Sequence, residues 1–333
     1  MGQIKASTLK EQLPSFSIVL ETENLANADL NSLSESLTSL FNQDLSPIFA
    51  NEILMIDSGD VPPKKLEQLL EKYPWIKVCQ APLGTGYYKA KMLGANLATG
   101  DIVVYCDSDC IYETNWLRNI LIPFTQSDQI QVVAGETTTR GKGPYGTAMA
   151  LTYIFPQYSR QKTLKRTSQY FLNNVAFRRE FLLQYPIPTE LPLYRGNCLI
   201  HAHTLHSYGY TIWRQPQARA THAPPSGLSH FFWRFLLIGH DYYWQKRLLA
   251  KYQHKYHDSL SGFLGKLRVF WVRISKMFTN QPSYIIYFPL AIPIVITSVT
   301  LIFVGYVITL FESRYLLKVY NQILGEFEAI PGQ

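Results

Sequence analysis

Early in the chain one pattern recurs four times: a short apolar run that ends at a polar residue, then a stretch whose apolar residues fall at helical spacing. The runs are Phe16–Leu20, Glu52–Ile56, Trp75–Cys79 and Asp101–Tyr105; the stretches are Leu30–Leu40, Pro63–Tyr73, Gly86–Ala98 and Asn115–Phe124. Near-continuous apolar runs are the signature of strands buried on both faces, and strands alternating with helices predict an α/β domain with a doubly wound, mostly parallel or mixed sheet. In such sheets ligands bind beyond the carboxyl ends of the strands. Thr22, Asp57 and Asp107 all stand at those ends.

Farther along the pattern loosens. Gln131–Ala134 predicts a strand, and the Gly/Pro-rich stretch Gly141–Gly146 predicts a loop able to cover a substrate. A strand over Asn173–Arg179, a helix over Leu199–Tyr208 and a closing strand at Tyr210–Trp213 complete the domain, which is expected to end near Pro225. The expected division is a tail at 1–14, a catalytic domain at 15–225, membrane-surface helices at 226–280, a membrane span at 281–312 and a second tail at 313–333.

The later segments are where composition matters. Aromatic and basic residues mix from Leu228 to Ala250, and Phe263–Phe278 sets a basic face opposite an aromatic one, as suits a helix in the lipid headgroup layer. Tyr284–Phe311 then has no charged residue in 28 positions, whereas a crossing needs about 20. Pro289 and Pro293 leave two readings open: a kinked helix, or one that begins after them. Lys266, Arg268, Arg273 and Lys276 before the span outweigh Arg314 and Lys318 after it, which places the catalytic domain in the cytoplasm.

The formal charge of +7 comes with no aromatic-interleaved basic stripe, so anionic lipid and phosphate-rich substrates are expected as partners and nucleic acid is not. The four cysteines, Cys79, Cys106, Cys110 and Cys198, lack CxxC spacing and a preceding secretory signal, and are read as reduced thiols in a cytosolic compartment.

Asp107-Ser-Asp109 is the sharpest chemical signal. Two carboxylates at i and i+2 leaving a buried strand can turn toward one divalent cation, Mg²⁺ or Mn²⁺, which takes oxygen ligands and bridges them to a diphosphate. A lone pair of this kind is commonly a solvated turn; its place after the fourth strand favours the metal.

In order, the chain presents Ser17-Ile-Val-Leu20 with Glu21-Thr-Glu-Asn24, Asp57-Ser-Gly59, Gly86-Tyr-Tyr-Lys-Ala-Lys91, Gly94, Ala98-Thr-Gly-Asp101 and Asp107-Ser-Asp109. That series resembles the family 2 glycosyltransferases of GT-A fold over about residues 15–225. The resemblance implies transfer of a single sugar, with inversion, from a nucleotide-diphosphate sugar to a lipid-linked or saccharide acceptor at the membrane. It implies donor contacts from Thr22, Glu23, Asp57, Lys91 and Asp107, with Arg234 reaching the diphosphate, and a metal held by Asp107, Asp109 and His222. Glu23 stands where many members carry an aromatic that stacks on the base, and Lys91 where they carry an arginine.

One departure bears on catalysis. Counting back from Gly209 through Leu205, the family's Gly-Glu-Asp, whose Asp is the general base, aligns with Gly196-Asn197-Cys198. A positioned base contributes ~10²- to 10⁴-fold. Glu190, His201 and His203 are the nearby substitutes, and Arg195 favours an anionic acceptor. The rival readings are a catalytically silent sugar-nucleotide binder or assembly partner and a nucleotidyltransferase. Gly84-Thr-Gly86 lacks the third glycine of a dinucleotide loop, Gly-x-Ser-x-Gly is absent, and so is the Gln-x-x-Arg-Trp of processive synthases.

Overall fold

The computed structural model describes residues 13–22, 30–59, 61–250 and 263–328. In chain order the elements are β1 (Phe16–Glu21), α1 (Leu30–Phe41), β2 (Ile53–Asp57), α2 (Pro63–Lys72), β3 (Ile76–Gln80), α3 (Tyr87–Leu97) and β4 (Ile102–Cys106). Then come β5 (Cys110–Tyr112), α4 (Trp116–Leu121), α5 (Pro123–Gln126), β6 (Val132–Thr139), α6 (Gly143–Thr152), β7 (Lys165–Thr167), β8 (Asn174–Arg178) and α7 (Arg179–Gln184). The chain closes with α8 (Asn197–Ser207), β9 (Ile212–His222), α9 (Gly227–Leu249), α10 (Phe263–Asn280), α11 (Tyr284–Phe311) and α12 (Tyr315–Glu328).

These elements fall into two compact units, one of residues 1–138, 158–189 and 201–222, the other of 139–157, 190–200 and 223–333. The expected boundary near Pro225 lies beside the division at 222, and the second unit also draws on two inner segments.

The first unit holds a mixed sheet of order β3-β2-β1-β4-β8-β6-β9-β5, with β7 paired to β9. Strands β1 to β4 pair in parallel, while β4–β8, β8–β6, β9–β5 and β9–β7 are antiparallel. Burial follows position: β1, β2 and β4 are buried at every residue, whereas the edge strand β3 is open along most of its length. Helix α3 lies so close to the sheet that a Cβ on Gly94 would come 2.3 Å from a methyl of Val19. On the core side Trp116 is fully buried and gives its indole N–H to the Asn174 side chain at 2.8 Å, so the ring's polar edge is satisfied where its area is lost to water.

The second unit is helical. Helices α9 and α11 meet backbone to backbone: a Cβ on Gly239 would fall 2.0 Å from the Ile302 carbonyl oxygen, and one on Gly305 2.0 Å from that of Leu236. Tyr284, Ala291, Ser298, Gly305 and Thr309 form the buried seam of α11. Ile274 and Met277 of α10 pack with Ala150, Leu151 and Tyr284, and Arg273 caps carbonyls of Leu151 and Tyr153 at 3.1 and 2.5 Å.

Four expectations change. The stretch expected as a covering loop at 141–146 opens α6, since Pro144 sits in the first turn, where a missing N–H costs nothing. The closing strand runs on to His222, and the tail after 313 holds α12. Pro289 and Pro293 lie inside one helix that starts at Tyr284, and each withholds the N–H that would bond the residue four before it. That helix is long and apolar enough to cross a membrane.

Candidate active site

The polar ends of the parallel strands are tied together before any ligand arrives. Asp57, last residue of β2, accepts from the Thr22 hydroxyl at 3.0 Å, the Gly59 N–H at 3.2 Å and the Gln80 amide at 3.1 Å. Thr22, one residue past β1, in turn accepts the Ser58 N–H at 3.2 Å. Each carboxylate oxygen of Asp57 thus has a donor, and Gly59 takes φ 84°, which a side chain would resist. Glu23, expected at the base, lies outside the described residues.

Asp107 follows β4 and is held from three sides. The Lys91 ammonium lies 2.7 Å from Oδ1, and the Tyr87 hydroxyl, at the first turn of α3, is 3.1 and 2.9 Å from the two oxygens. Its own N–H donates to the Tyr112 hydroxyl at 2.8 Å, which donates on to the Asn173 carbonyl at 3.0 Å. Lys91 has no exposed surface and also donates to the Cys106 carbonyl at 2.5 Å. Desolvation pulls its ammonium pKa down, but Asp107 and then Glu21, a buried carboxylate at the end of β1, more than offset this and hold it above its ordinary value. Lys91, expected at the donor, is buried here and braces Asp107.

Asp109 meets its partner through the sheet. Strand β5 pairs antiparallel with β9 so that Cys110 faces His222, and the His222 Nε2 comes 3.1 Å from Asp109 Oδ2. Asp109, Cys110 and His222 each present a ligand atom within 4.8 Å of one another. A carboxylate oxygen and an imidazole nitrogen fit a Mg²⁺- or Mn²⁺-like ion, with further positions left to phosphate oxygens and water. Cys110 Sγ sits 3.7 Å from Asp109 Oδ1 as a hydrogen-bond neighbour, and a buried thiol is a poor ligand for a hard ion.

The candidate bases differ in what they can do. Cys198 is buried on α8, Glu190 is exposed and His203 half-buried. His201 has both ring nitrogens engaged, Nδ1 with the Tyr170 hydroxyl at 2.6 Å and Nε2 with the Tyr185 carbonyl at 2.9 Å, and burial lowers its pKa to about 4. Both partners and the lowered pKa argue against His201 as the base.

In the second unit, Arg234 donates from Nε to the Tyr153 hydroxyl at 2.9 Å and lies over the Tyr153 and Tyr194 rings. Arg195 stands 4.6 Å from the centre of the same Tyr194 ring. Asp241 accepts the N–H groups of Tyr194 and Arg195, each at 2.8 Å, and burial pushes its carboxyl up to about 7. Asp241 and the bracing tyrosines Tyr87 and Tyr112 were not singled out in the sequence, although Tyr87 lies within the Gly86–Lys91 stretch.

The parallel half-sheet with polar strand ends, extended by an antiparallel half that returns a histidine to the last acidic turn, defines a GT-A α/β domain. Two solved structures share the fold: mannosyltransferase PcManGT from Pyrobaculum calidifontis in complex with GDP-Man and Mn²⁺, and GalNAc-T7 with UDP, GalNAc and Mn²⁺. The first has TM-score 0.53 at 15% identity over 97% of this chain and 92% of that one; the second has 0.51 at 15% over 83% and 58%.

Residues 25–185 match the family model for Glycosyl transferase family 2. Among curated relatives it is 30% identical over 113 residues to polypeptide N-acetylgalactosaminyltransferase 10 of Homo sapiens, covering 33% of this chain and 18% of the relative. It is 32% identical over 114 residues to the inactive polypeptide N-acetylgalactosaminyltransferase-like protein 5 of Mus musculus, covering 33% and 25%. The match thus spans a quarter or less of these relatives' length.

Proposed function

We propose that the chain is a metal-dependent glycosyltransferase that moves one sugar from a nucleotide-diphosphate donor to a lipid-linked or saccharide acceptor at the cytoplasmic face of a membrane. The observation that carries this reading is the convergence of Asp109 and His222 at 3.1 Å beside the braced Asp107. The relatives and fold neighbours, whose names include sugar transfer and Mn²⁺, lend it support.

In this reading Thr22 and Asp57 hold the nucleoside, with Glu23 near the base, and Asp107 contacts the donor while Lys91 fixes its carboxylate. Asp109 and His222, with Asp107, hold Mg²⁺ or Mn²⁺. When bound, the ion supplies positive charge to a leaving diphosphate. The protein's own share is orientation: carboxylates locked by buried donors spend little free energy on reorganising as charge develops. Arg234 and Arg195 supply positive charge for the donor diphosphate and for an anionic acceptor. The acceptor hydroxyl displaces the nucleotide in one step with inversion, and the proton goes to a base other than His201, for which Glu190 and His203 remain the proposals.

The binding half of this proposal is tested by titrating UDP-, GDP- and TDP-sugars with and without Mn²⁺. Binding of one donor that needs the ion and is lost in Asp109→Ala supports it; ion-independent binding of equal strength in both proteins sinks it. A second reading, a sugar-nucleotide binder without turnover, is favoured by the buried Cys198 at the position of the expected base. Donor binding with no transfer to any acceptor would establish that reading.

A further inference from the structure

Helix α11 offers lipid a face of unusual size: Ile286, Leu290, Ile296, Val299 and Phe303 are exposed, and none of its 28 residues is charged. Water-facing surfaces do not carry such patches without a partner. Length and composition alone suggest a crossing, but the contacts along the helix argue otherwise.

Both ends of α11 are fastened to polar parts of its own unit. At the start the Tyr284 hydroxyl donates to the Gly141 carbonyl at 2.9 Å, between Arg140 and Lys142. At the far end the His240 ring bonds the Thr309 hydroxyl at 3.1 Å and the Trp244 indole donates to the Ser313 carbonyl at 3.0 Å. Helix α9 runs alongside in the same direction: Leu236 lies against Gly305, His240 against Thr309, and Trp244 against Ser313. In that register Arg234 stands about level with Phe303, so a crossing α11 would carry this charge toward hydrocarbon depth at a cost, whereas Asp241 stands at the last turn of α11 and Lys246 and Arg247 lie beyond its end.

The chain after α11 also comes back. Tyr320 of α12 packs on Tyr194 and on Trp233, with ring centres 5.2 and 5.7 Å apart, and Trp233 belongs to the early part of α9. A helix of about 42 Å at ~1.5 Å per residue ends, and the next one returns toward the level of α9's first half.

Charge selects the occupant of the exposed face. From Ala223 onward there are 11 Lys and Arg against 5 Asp and Glu, so +6 of the chain's formal +7 lies there. Anionic headgroups attract such a segment.

We propose that α11 lies along the surface of an anionic bilayer, not across it, with its exposed face sunk into one leaflet and both its ends on the same side. The protein supplies the polar face that a free interfacial helix would need of its own. This inference rests on the membrane attachment proposed above and concerns its geometry.

The test uses the full chain with Cys79→Ser, carrying either Gln68→Cys in the first unit or Gln322→Cys on α12, in sealed membrane vesicles from the expressing cell. A membrane-impermeant maleimide is expected to label both cysteines from one side and neither from the other. Labelling from opposite sides overturns the surface geometry while leaving membrane attachment intact. In parallel, the wild type is expected to float with phosphatidylcholine–phosphatidylglycerol vesicles. Ile296→Glu, on the exposed face, should float at least about tenfold less at unchanged thermal stability. A wild type that never floats overturns membrane attachment and geometry together, and an Ile296→Glu protein that floats like wild type overturns the assigned face.

Discussion

Lys91 brings a full positive charge to a place with no exposed surface, and what it meets there is Asp107. Removing one partner of a buried pair leaves the other uncompensated, at a cost of about 3–5 kcal/mol. Lys91→Met is therefore expected to lower the urea midpoint of unfolding sharply, whereas Asp109→Ala, at a partly open position, should leave it within about 1 kcal/mol of wild type. Equal, small shifts in both would mean that Lys91 is no brace. Sequence reasoning found both carboxylates, because a DxD at a strand end is a local pattern. It did not show that Lys91 is buried against Asp107, because burial is not local: the same lysine on an open helix face would look identical in the sequence. Tyr87 and Tyr112 were hidden for the same reason.

His201 gives a second expectation at this scale. Its folded pKa of about 4 lies below the ordinary 6.5, so between those values the unfolded chain binds the extra proton. The contribution is fully present above pH 6.5 and is lost as the pH falls toward 4, by up to about 3 kcal/mol. Urea unfolding at pH 7, 6 and 5 should show this decline, and His201→Asn should flatten it. A wild type as stable at pH 5 as at pH 7 would contradict the buried, neutral histidine.

Among the elements, β1 to β4 were legible because strands buried on both faces are written as unbroken apolar runs. Strand β9 was read short: Arg214, Gln215 and Pro216 interrupt its apolar pattern, yet the strand continues to His222. That missed length is what brings His222 to Asp109, across more than a hundred residues of chain. Strands β5 and β7 hold three residues each, too few for a period to show. The Gly141–Gly146 stretch misled because glycine and proline read as breakers, although Pro144 in the first turn starts a helix as readily as it ends one.

The α9–α11 crossing gives the prediction proper to elements. Gly239 and Gly305 admit no Cβ without moving backbone carbonyls of the facing helix. Gly305→Leu is expected to destabilise the second unit by about 1–3 kcal/mol or more, read as a lowered thermal midpoint, while Ile302→Leu should change it little. A midpoint unmoved by Gly305→Leu would mean the helices do not meet there.

For the whole molecule, the chain joins an α/β unit holding Thr22, Asp57, Asp107, Asp109 and His222 to a helical unit that carries most of the positive charge and the long apolar helix. The fold class followed from periodicity, while the two-unit division did not, because residues 139–157 and 190–200 join the second unit from inside the first unit's span. The missing family base at Cys198 is where activity and fold part company, and only turnover separates them. The most direct measurement is Mn²⁺-dependent sugar transfer from the bound donor by wild type, Asp109→Ala, His222→Ala and Cys198→Ala. The account predicts transfer by wild type and by Cys198→Ala, with losses of at least ~10²-fold in Asp109→Ala and His222→Ala. Transfer undiminished by removal of Asp109 would contradict it.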